Sequence, residues 1–297
     1  MVTVCIPATS ANLGPGFDCM GIALTLYNEV DMQEVSDGPD IKITGEGADI
    51  IPTDENNTVY GVAMYLLGRL GRRPRGLQLR QRNAVPVQSG LGSSSTAIVG
   101  GLMAANALAG QPLSKEELLS LAAEIEGHPD NVAPALLGGL VAASSVGRQV
   151  DFIRVSVPDL RIVVAVPAIR VSTPAARALL PDRIPRADAV FNIGKAALVV
   201  LALERGDYDL LSRAMHDKLH QPYRAPLIPG LLGVFDAARE AGAAGVAISG
   251  AGPSLIAFAP DGHEQIGQAM VAAFKDAGIA ARALVLDVER EGARVMR

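Results

Sequence analysis

The chain has 297 residues, enough for one sizeable core or two moderate lobes. Its 26 Lys and Arg against 31 Asp and Glu, net charge of −5 and 4% aromatic residues lack the basic, aromatic-rich pattern that nucleic acid requires, so no nucleic-acid partner is expected. A content of 49% hydrophobic residues argues against disorder, no apolar run reaches membrane-spanning length, and MVTVCIPATS is no signal peptide; a cytoplasmic chain with no membrane partner is expected.

In chain order, Val2–Pro7 reads as a strand, followed by a Gly/Pro/Asn-rich stretch over residues 8–21 and a second strand over Ile22–Val35. Ile41–Thr44 is a short strand, Asp54–Asn57 a polar turn and Thr58–Leu70 a helix; Leu77–Arg82 and Val85–Val87 are further strand candidates. The arginines at 69, 72, 73, 75, 80 and 82 read as a solvated helix end and strand. Ala97–Ala109 is helical, with Ile98, Leu102, Ala105 and Leu108 on one face. Ser114 and Glu117 form a capping box for the next helix, which Gly127-His128-Pro129 ends. Ala133–Leu137 is a short helix and Leu140–Ser144 the start of a strand. Ile153–Val157 and the β-branched run Arg161–Pro167 are strands, the latter buried and central. Helices follow at Thr173–Leu180, Ala187–Glu204, Tyr208–Leu219 and Leu227–Ala241. Strands at Gly245–Ser249 and Leu255–Ala259, a helix at His263–Ala277 and a strand at Ala283–Val288 complete the chain. This mixed order points to α+β or α/β packing, with a lobe boundary near residues 145–160.

Three loops carry candidate chemistry. Pro86-Val-Gln-Ser-Gly90-Leu91-Gly92-Ser93-Ser94-Ser95 combines glycines, which allow positive φ or close ligand approach, with three serines ahead of a helix. Unpaired N–H groups and partial positive charge at a helix start suit a phosphate. The loop lacks the Gly-Lys-Ser/Thr of a Walker motif, the spacing of a dinucleotide fingerprint and the Gly-x-Ser-x-Gly of a nucleophile elbow. Residues 7–18 hold Asn12, Gly14, Gly16 and Asp18, and fit either a polar ligand or a wide turn. Residues 249–254, with Gly250 and Gly252, offer another close backbone approach. Between them, Glu124, Glu126, His128 and Asp130 form an acidic cluster in apolar surroundings, able to present a carboxylate to Mg2+. Cys5 and Cys19 have no zinc spacing and read as small buried residues.

These motifs resemble, in order, the three of the GHMP small-molecule kinase superfamily: PATSANLGPGFD at 7–18, PVQSGLGSSST at 86–96 and GVAISGAGPSLIAF at 245–258. With EGHPDNVAP at 126–134, the resemblance is closest to its homoserine kinases. It implies an α+β, two-lobed fold: a lobe over residues 1–150 like the second domain of ribosomal protein S5, and a ferredoxin-like lobe over 151–297. It implies ATP and Mg2+ between the lobes, phosphates on Gly90–Ser95, and Ser94 with Glu124 or Glu126 on the metal, Glu124 favoured. Asn56 and Asn57 border the adenine, and Asn12, Asp18, His128, Asn131, Arg177 and Arg224 serve homoserine. A homodimer is the family expectation. Asn131 cannot act as a base, and Asp130 is read as capping a helix at Asn131–Ala135; the substrate proton then leaves to solvent or to the phosphate. A kinase of another small alcohol such as mevalonate, a non-catalytic ATP sensor and a purely structural protein are the alternatives.

Overall fold

The computed structural model describes residues 1–296. Strands β1 (Val2–Ala11), β2 (Met20–Val35) and β3 (Gly38–Gly45) open the chain, and helix α1 (Thr58–Arg69) crosses to β4 (Gly76–Asn83), parallel to β3. Three helices follow: α2 (Ser93–Leu108), α3 (Lys115–Glu126) and α4 (Pro129–Leu137). The hairpin β5 (Leu140–Val146) and β6 (Gln149–Val155) completes the first run. The second begins with β7 (Arg161–Pro167), α5 (Thr173–Ala178), α6 (Arg186–Arg205), α7 (Tyr208–Ala214) and α8 (Gln221–Arg224), which leads into a 3-10 turn at Ala225–Leu227. It ends with α9 (Leu231–Glu240), β8 (Gly245–Ile248), β9 (Leu255–Phe258), α10 (His263–Asp276), β10 (Ala281–Asp287) and β11 (Arg294–Met296).

The first sheet has the order β11-β1-β2-β4-β3, with β5 on β2 and β6 on β5. Helices α1 to α4 bury one face of it over Val4, Ile6, Met32, Leu66, Leu102 and Leu136. The second sheet, β10-β7-β9-β8, is antiparallel. Alternate residues of β7 explain its unbroken apolar run: Val163 and Ala165 face α9 and α10, whereas Ile162, Val164 and Val166 face a core shared with α6, α7 and β2. That shared core, around Leu13, Met20, Leu24, Leu203 and Phe258, joins the two halves. The architecture is therefore the expected α+β one, in two lobes. Residues 149–155 and 294–296 both pair within the first sheet, so the two sheets do not divide the chain at residue 150. We propose the lobe boundary at 156–160, with the C-terminal strand returning to the first lobe.

Several elements differ from the sequence reading. β1 runs through Pro7 to Ala11, because a register shift between Pro7 and Ala8 accommodates the proline beside β2. Residues 85–87 form no strand, and the short β11 was missed. α2 begins at Ser93, so the three serines are its first turn rather than a preceding loop. α4 begins at Pro129, and α7 stops at Ala214, short of Leu219. The Ser114–Glu117 capping box is present, with both reciprocal bonds formed. Three of the six arginines of the run are neutralised by ion pairing: Arg72 with Glu34, Arg80 with Asp40, and Arg82 with Glu29 and Asp31.

Candidate active site

A cleft of about 540 Å3 opens between the two lobes, and all three glycine-rich loops reach it. The loop over residues 86–95 is pinned through its carbonyls. Gln88, Ser89 and Leu91 oxygens accept from the amides of Val171, Ser254 and Thr9, and Ser249 Oγ lies 2.7 Å from the Gly90 oxygen. Gly92, at φ 73°, is the N-cap of α2 and offers no side chain to cap it. A Cβ there would fall 2.1 Å from Thr9 Oγ1, and one on Gly90 would fall 2.1 Å from the Ser249 oxygen. Both glycines thus serve contact with the protein's own loops. The amides of Ser93, Ser94 and Ser95 find no acceptor among the described residues. An uncapped start to a 16-residue helix facing the cleft is a ready anion site.

The carboxylate beside that helix start is Glu126. Ser94 Oγ donates to its Oε2 at 3.0 Å and Ser95 Oγ to its Oε1 at 2.8 Å. Glu124, favoured from sequence, does not line the cleft and instead pairs with Arg148 at 3.1 Å. Two positions on a helix are about 200° apart, so only one of these glutamates can face α2.

At the opposite end, charged groups converge. Arg177 grips both oxygens of Asp18, at 2.9 and 2.6 Å. His128 Nδ1 lies 2.5 Å from Asp130 Oδ1, and ligand atoms of Asp18, His128 and Asp130 fall within 4.8 Å of one another. Burial pulls the His128 imidazole down, but the hydrogen bond and charge of Asp130 outweigh it and the net shift is upward. Asp130 therefore holds His128 rather than capping α4, whose N-cap is His128 itself. Asn12 Nδ2 donates to the Gly250 oxygen at 2.8 Å, and its Oδ1 accepts from the Asp18 amide at 3.0 Å. Asn12 and Asp18 both lie in the left-handed region, at φ 70° and 58°, which turns them into the cleft. Asn131 Oδ1 accepts from Thr9 Oγ1 at 2.8 Å.

Arg224 is 2% exposed, yet it lines the cleft. Its Nη1 donates to the Gly250 oxygen at 2.9 Å, while Nε is buried with no partner among the described residues. Burial, then the neighbouring Arg177, depresses it to about 10, which still leaves it charged at neutral pH.

Not every sequence candidate reaches the cleft. Pro86, Leu91 and Ser95 support it from behind: Pro86 accepts from Ser89 Oγ, Leu91 is core, and Ser95 orients Glu126. Asn56 is exposed and bonds Asp54. Asn57 lines the cleft, but its amide caps α1 and bonds Pro52 and Gln81. The apolar wall at this end comes from Ile50, Ile51, Pro52, Val59 and Val87, which the sequence reading did not single out. Phe17, Asp217 and His220 behind Arg224 were missed too. The sequence offered no local signal for them: His220 precedes the four-residue α8, over a stretch in which no helix was expected.

Comparison with known proteins gives the family. The model of the GHMP kinases N terminal domain matches residues 57–139, and that of the GHMP kinases C terminal matches residues 199–276. The chain belongs to the GHMP kinase family. It is 50% identical over 280 residues to the homoserine kinase of Moorella thermoacetica, covering 94% of each chain. It is 47% identical over 293 residues to that of Carboxydothermus hydrogenoformans, covering 99% of this chain and 96% of the relative. The crystal structure of homoserine kinase from Cytophaga hutchinsonii superposes with a TM-score of 0.88 at 35% identity, over 99% and 97% of the two chains.

Proposed function

We propose that the protein transfers the γ-phosphoryl group of ATP to the side-chain hydroxyl of L-homoserine, giving O-phospho-L-homoserine for threonine biosynthesis. The observation that carries this reading is a two-ended cleft: an uncapped helix start beside Glu126 at one end, and the opposed charges of Asp18, Arg177 and Arg224 at the other. A nucleotide's phosphates suit the first, and the ammonium and carboxylate of a small amino acid suit the second.

The amides of Ser93 and Ser94, which line the cleft, and the dipole of α2 stabilise phosphate charge, most strongly where it builds up during transfer. Ser94 Oγ and the Glu126 carboxylate are hard oxygen donors next to this anion site, and they fit Mg2+. When bound with ATP, that ion supplies charge neutralisation and alignment of the phosphates. Asp18 takes the ammonium or hydroxyl end of homoserine, and Arg177 and Arg224 take the α-carboxylate. The Asp18–Arg177 pair is about one-third exposed on each side, so a zwitterion meets two charges already ordered for it. Asn12 and His128 orient the substrate around these. Asn131 has no basic lone pair and Asp130 is engaged by His128, so the hydroxyl proton leaves to solvent or to the phosphate.

A second copy of the chain is the proposed partner, in a cytoplasmic homodimer. α6 carries an exposed apolar stripe, Val190, Ile193, Ala197 and Leu201, ending in Arg186 and Glu204. In an antiparallel pairing, Arg186 of one copy meets Glu204 of the other. Ile193→Glu is expected to turn a dimer into a monomer by sedimentation velocity; an unchanged state would remove α6 from the interface.

The activity is tested by incubating the protein with Mg-ATP and homoserine, mevalonate, shikimate or galactose, reading ADP release and phosphorylated product. Turnover with homoserine above the other three is expected. Turnover of another alcohol would reassign the substrate, and ATP binding without turnover would make the protein a sensor.

A further inference from the structure

Behind Arg224 lies a buried chain of groups that the reaction itself does not use. Asp217, fully buried, accepts from Asn192 Nδ2 at 2.7 Å and from the amides of Leu219, His220 and Gln221 at 2.9, 2.9 and 2.6 Å. This fixes the turn that leads into α8. His220, also fully buried, follows at once, its ring stacked on Phe17 with centroids 5.2 Å apart. Its Nε2 lies 2.7 Å from the Gly14 oxygen and its Nδ1 3.2 Å from Arg224 Nη1. Those two partners settle the tautomer. A carbonyl only accepts, so Nε2 carries the proton; a guanidinium only donates, so Nδ1 is bare. The same Phe17 ring lies under both guanidinium groups, 5.2 Å from Arg224 Cζ and 5.5 Å from Arg177 Cζ.

We propose that His220 is a positioning residue: its bare Nδ1, together with the Gly250 carbonyl, aims the buried Arg224 guanidinium at the acceptor's carboxylate. The inference rests on the reading of Arg224 as a carboxylate-binding group. Both acceptors take Nη1, which leaves Nη2 without a protein partner among the described residues. A protonated His220 would present an N–H to that guanidinium, so the neutral ring is part of the arrangement. The charged groups around it are Asp217 from its own turn, Arg224 from α8 and Asp18 from the loop after β1; burial and Arg224 disfavour protonation, and the two carboxylates favour it less strongly.

Two substitutions separate positioning from mere packing. His220→Phe keeps a ring on Phe17 but removes both nitrogens. His220→Asn restores an acceptor near Nδ1 without the ring. KM and kcat are measured for ATP, for homoserine and for 3-aminopropan-1-ol, which is homoserine without its carboxylate. His220→Phe is expected to raise the homoserine KM about tenfold, the size of one lost hydrogen bond to a charged group. It leaves the KM for ATP and the kcat/KM for the amino alcohol unchanged, and His220→Asn recovers most of the loss. A crystal structure of His220→Phe is expected to have Arg224 turned from the Gly250 oxygen. Equal losses for both acceptors, or Arg224 unmoved with an unchanged homoserine KM, would overturn the inference. If the wild-type protein does not phosphorylate homoserine, the proposed function falls, while the position of Arg224 in the variant still decides the role of His220.

Discussion

The two ends of the cleft solve opposite problems. At the phosphate end the protein presents backbone: an uncapped helix start, a loop held by its carbonyls, and one carboxylate fixed by two serines. At the acceptor end it presents side-chain charge, most of it already paired or buried: Asp18 on Arg177, Asp130 on His128, Arg224 on Gly250 and His220. Backbone donors cost little to pre-order, since the fold fixes them anyway. Buried charges need partners that hold them without consuming them. The phosphate end should therefore fail when geometry or charge is lost, and the acceptor end when orientation is lost.

The sharpest break is at Glu126. Glu126→Gln is expected to lower kcat roughly a hundredfold or more, with the fold intact, because a charge at the transferring phosphate is lost. Glu124→Gln, in an exposed pair with Arg148, should change kcat by about twofold or less. Steady-state ADP release measures both, and a larger loss for Glu124→Gln than for Glu126→Gln would return the carboxylate role to Glu124. Next, Arg177→Lys and Arg224→Lys should each raise the homoserine KM by about ten- to a hundredfold while leaving the KM for ATP alone, since lysine keeps the charge and loses the fork. A change in the KM for ATP instead would blur the division between the two ends.

Gly90→Ala sharpens the contrast from the backbone side. The new Cβ meets the Ser249 carbonyl at φ 85°, and a destabilisation of about 2–4 kcal/mol is expected, read as a fall in Tm. The smallest effect concerns pH. His220 is neutral in the fold and its pKa is lowered by burial, so below about 6.5 the unfolded chain binds a proton that the folded one does not. The stability this group contributes is fully present above that pH and is lost as pH falls towards the lowered pKa of the folded state, by at most about 1.4 kcal/mol per unit. Denaturant melts of the wild type and His220→Phe between pH 7 and 5 should converge as pH drops; parallel curves would mean that His220 takes up its proton without cost.

The contrast also explains what the sequence disclosed. Backbone sites are written in glycine and serine, so the loops at 90–95 and 249–254 were visible, as were the Ser114 capping box and the unbroken apolar run of β7. The sequence places the start of α2 at Ala97, one turn late, because three serines carry no apolar periodicity; Gly92 is the N-cap and Ser93 to Ser95 are the first turn. Glu126 and Glu124 were indistinguishable in kind, and only the docking of α3 on α2 decides which meets the serines. β11 is three residues long and pairs with the opposite end of the chain, a contact that no local pattern encodes. Asp217, read as the end of a helix, and His220 look like ordinary polar residues until the fold buries their side chains, His220 against Phe17.

The claim beneath all of this is that the first turn of α2 receives the nucleotide's phosphates without a lysine. A crystal structure with Mg2+ and a non-hydrolysable ATP analogue tests it most directly. The β- and γ-phosphate oxygens are expected within hydrogen-bonding distance of the Ser93 and Ser94 amides, with the ion touching Ser94 and Glu126. Phosphates bound on the Asp18, Arg177 and Arg224 cluster instead would contradict the account.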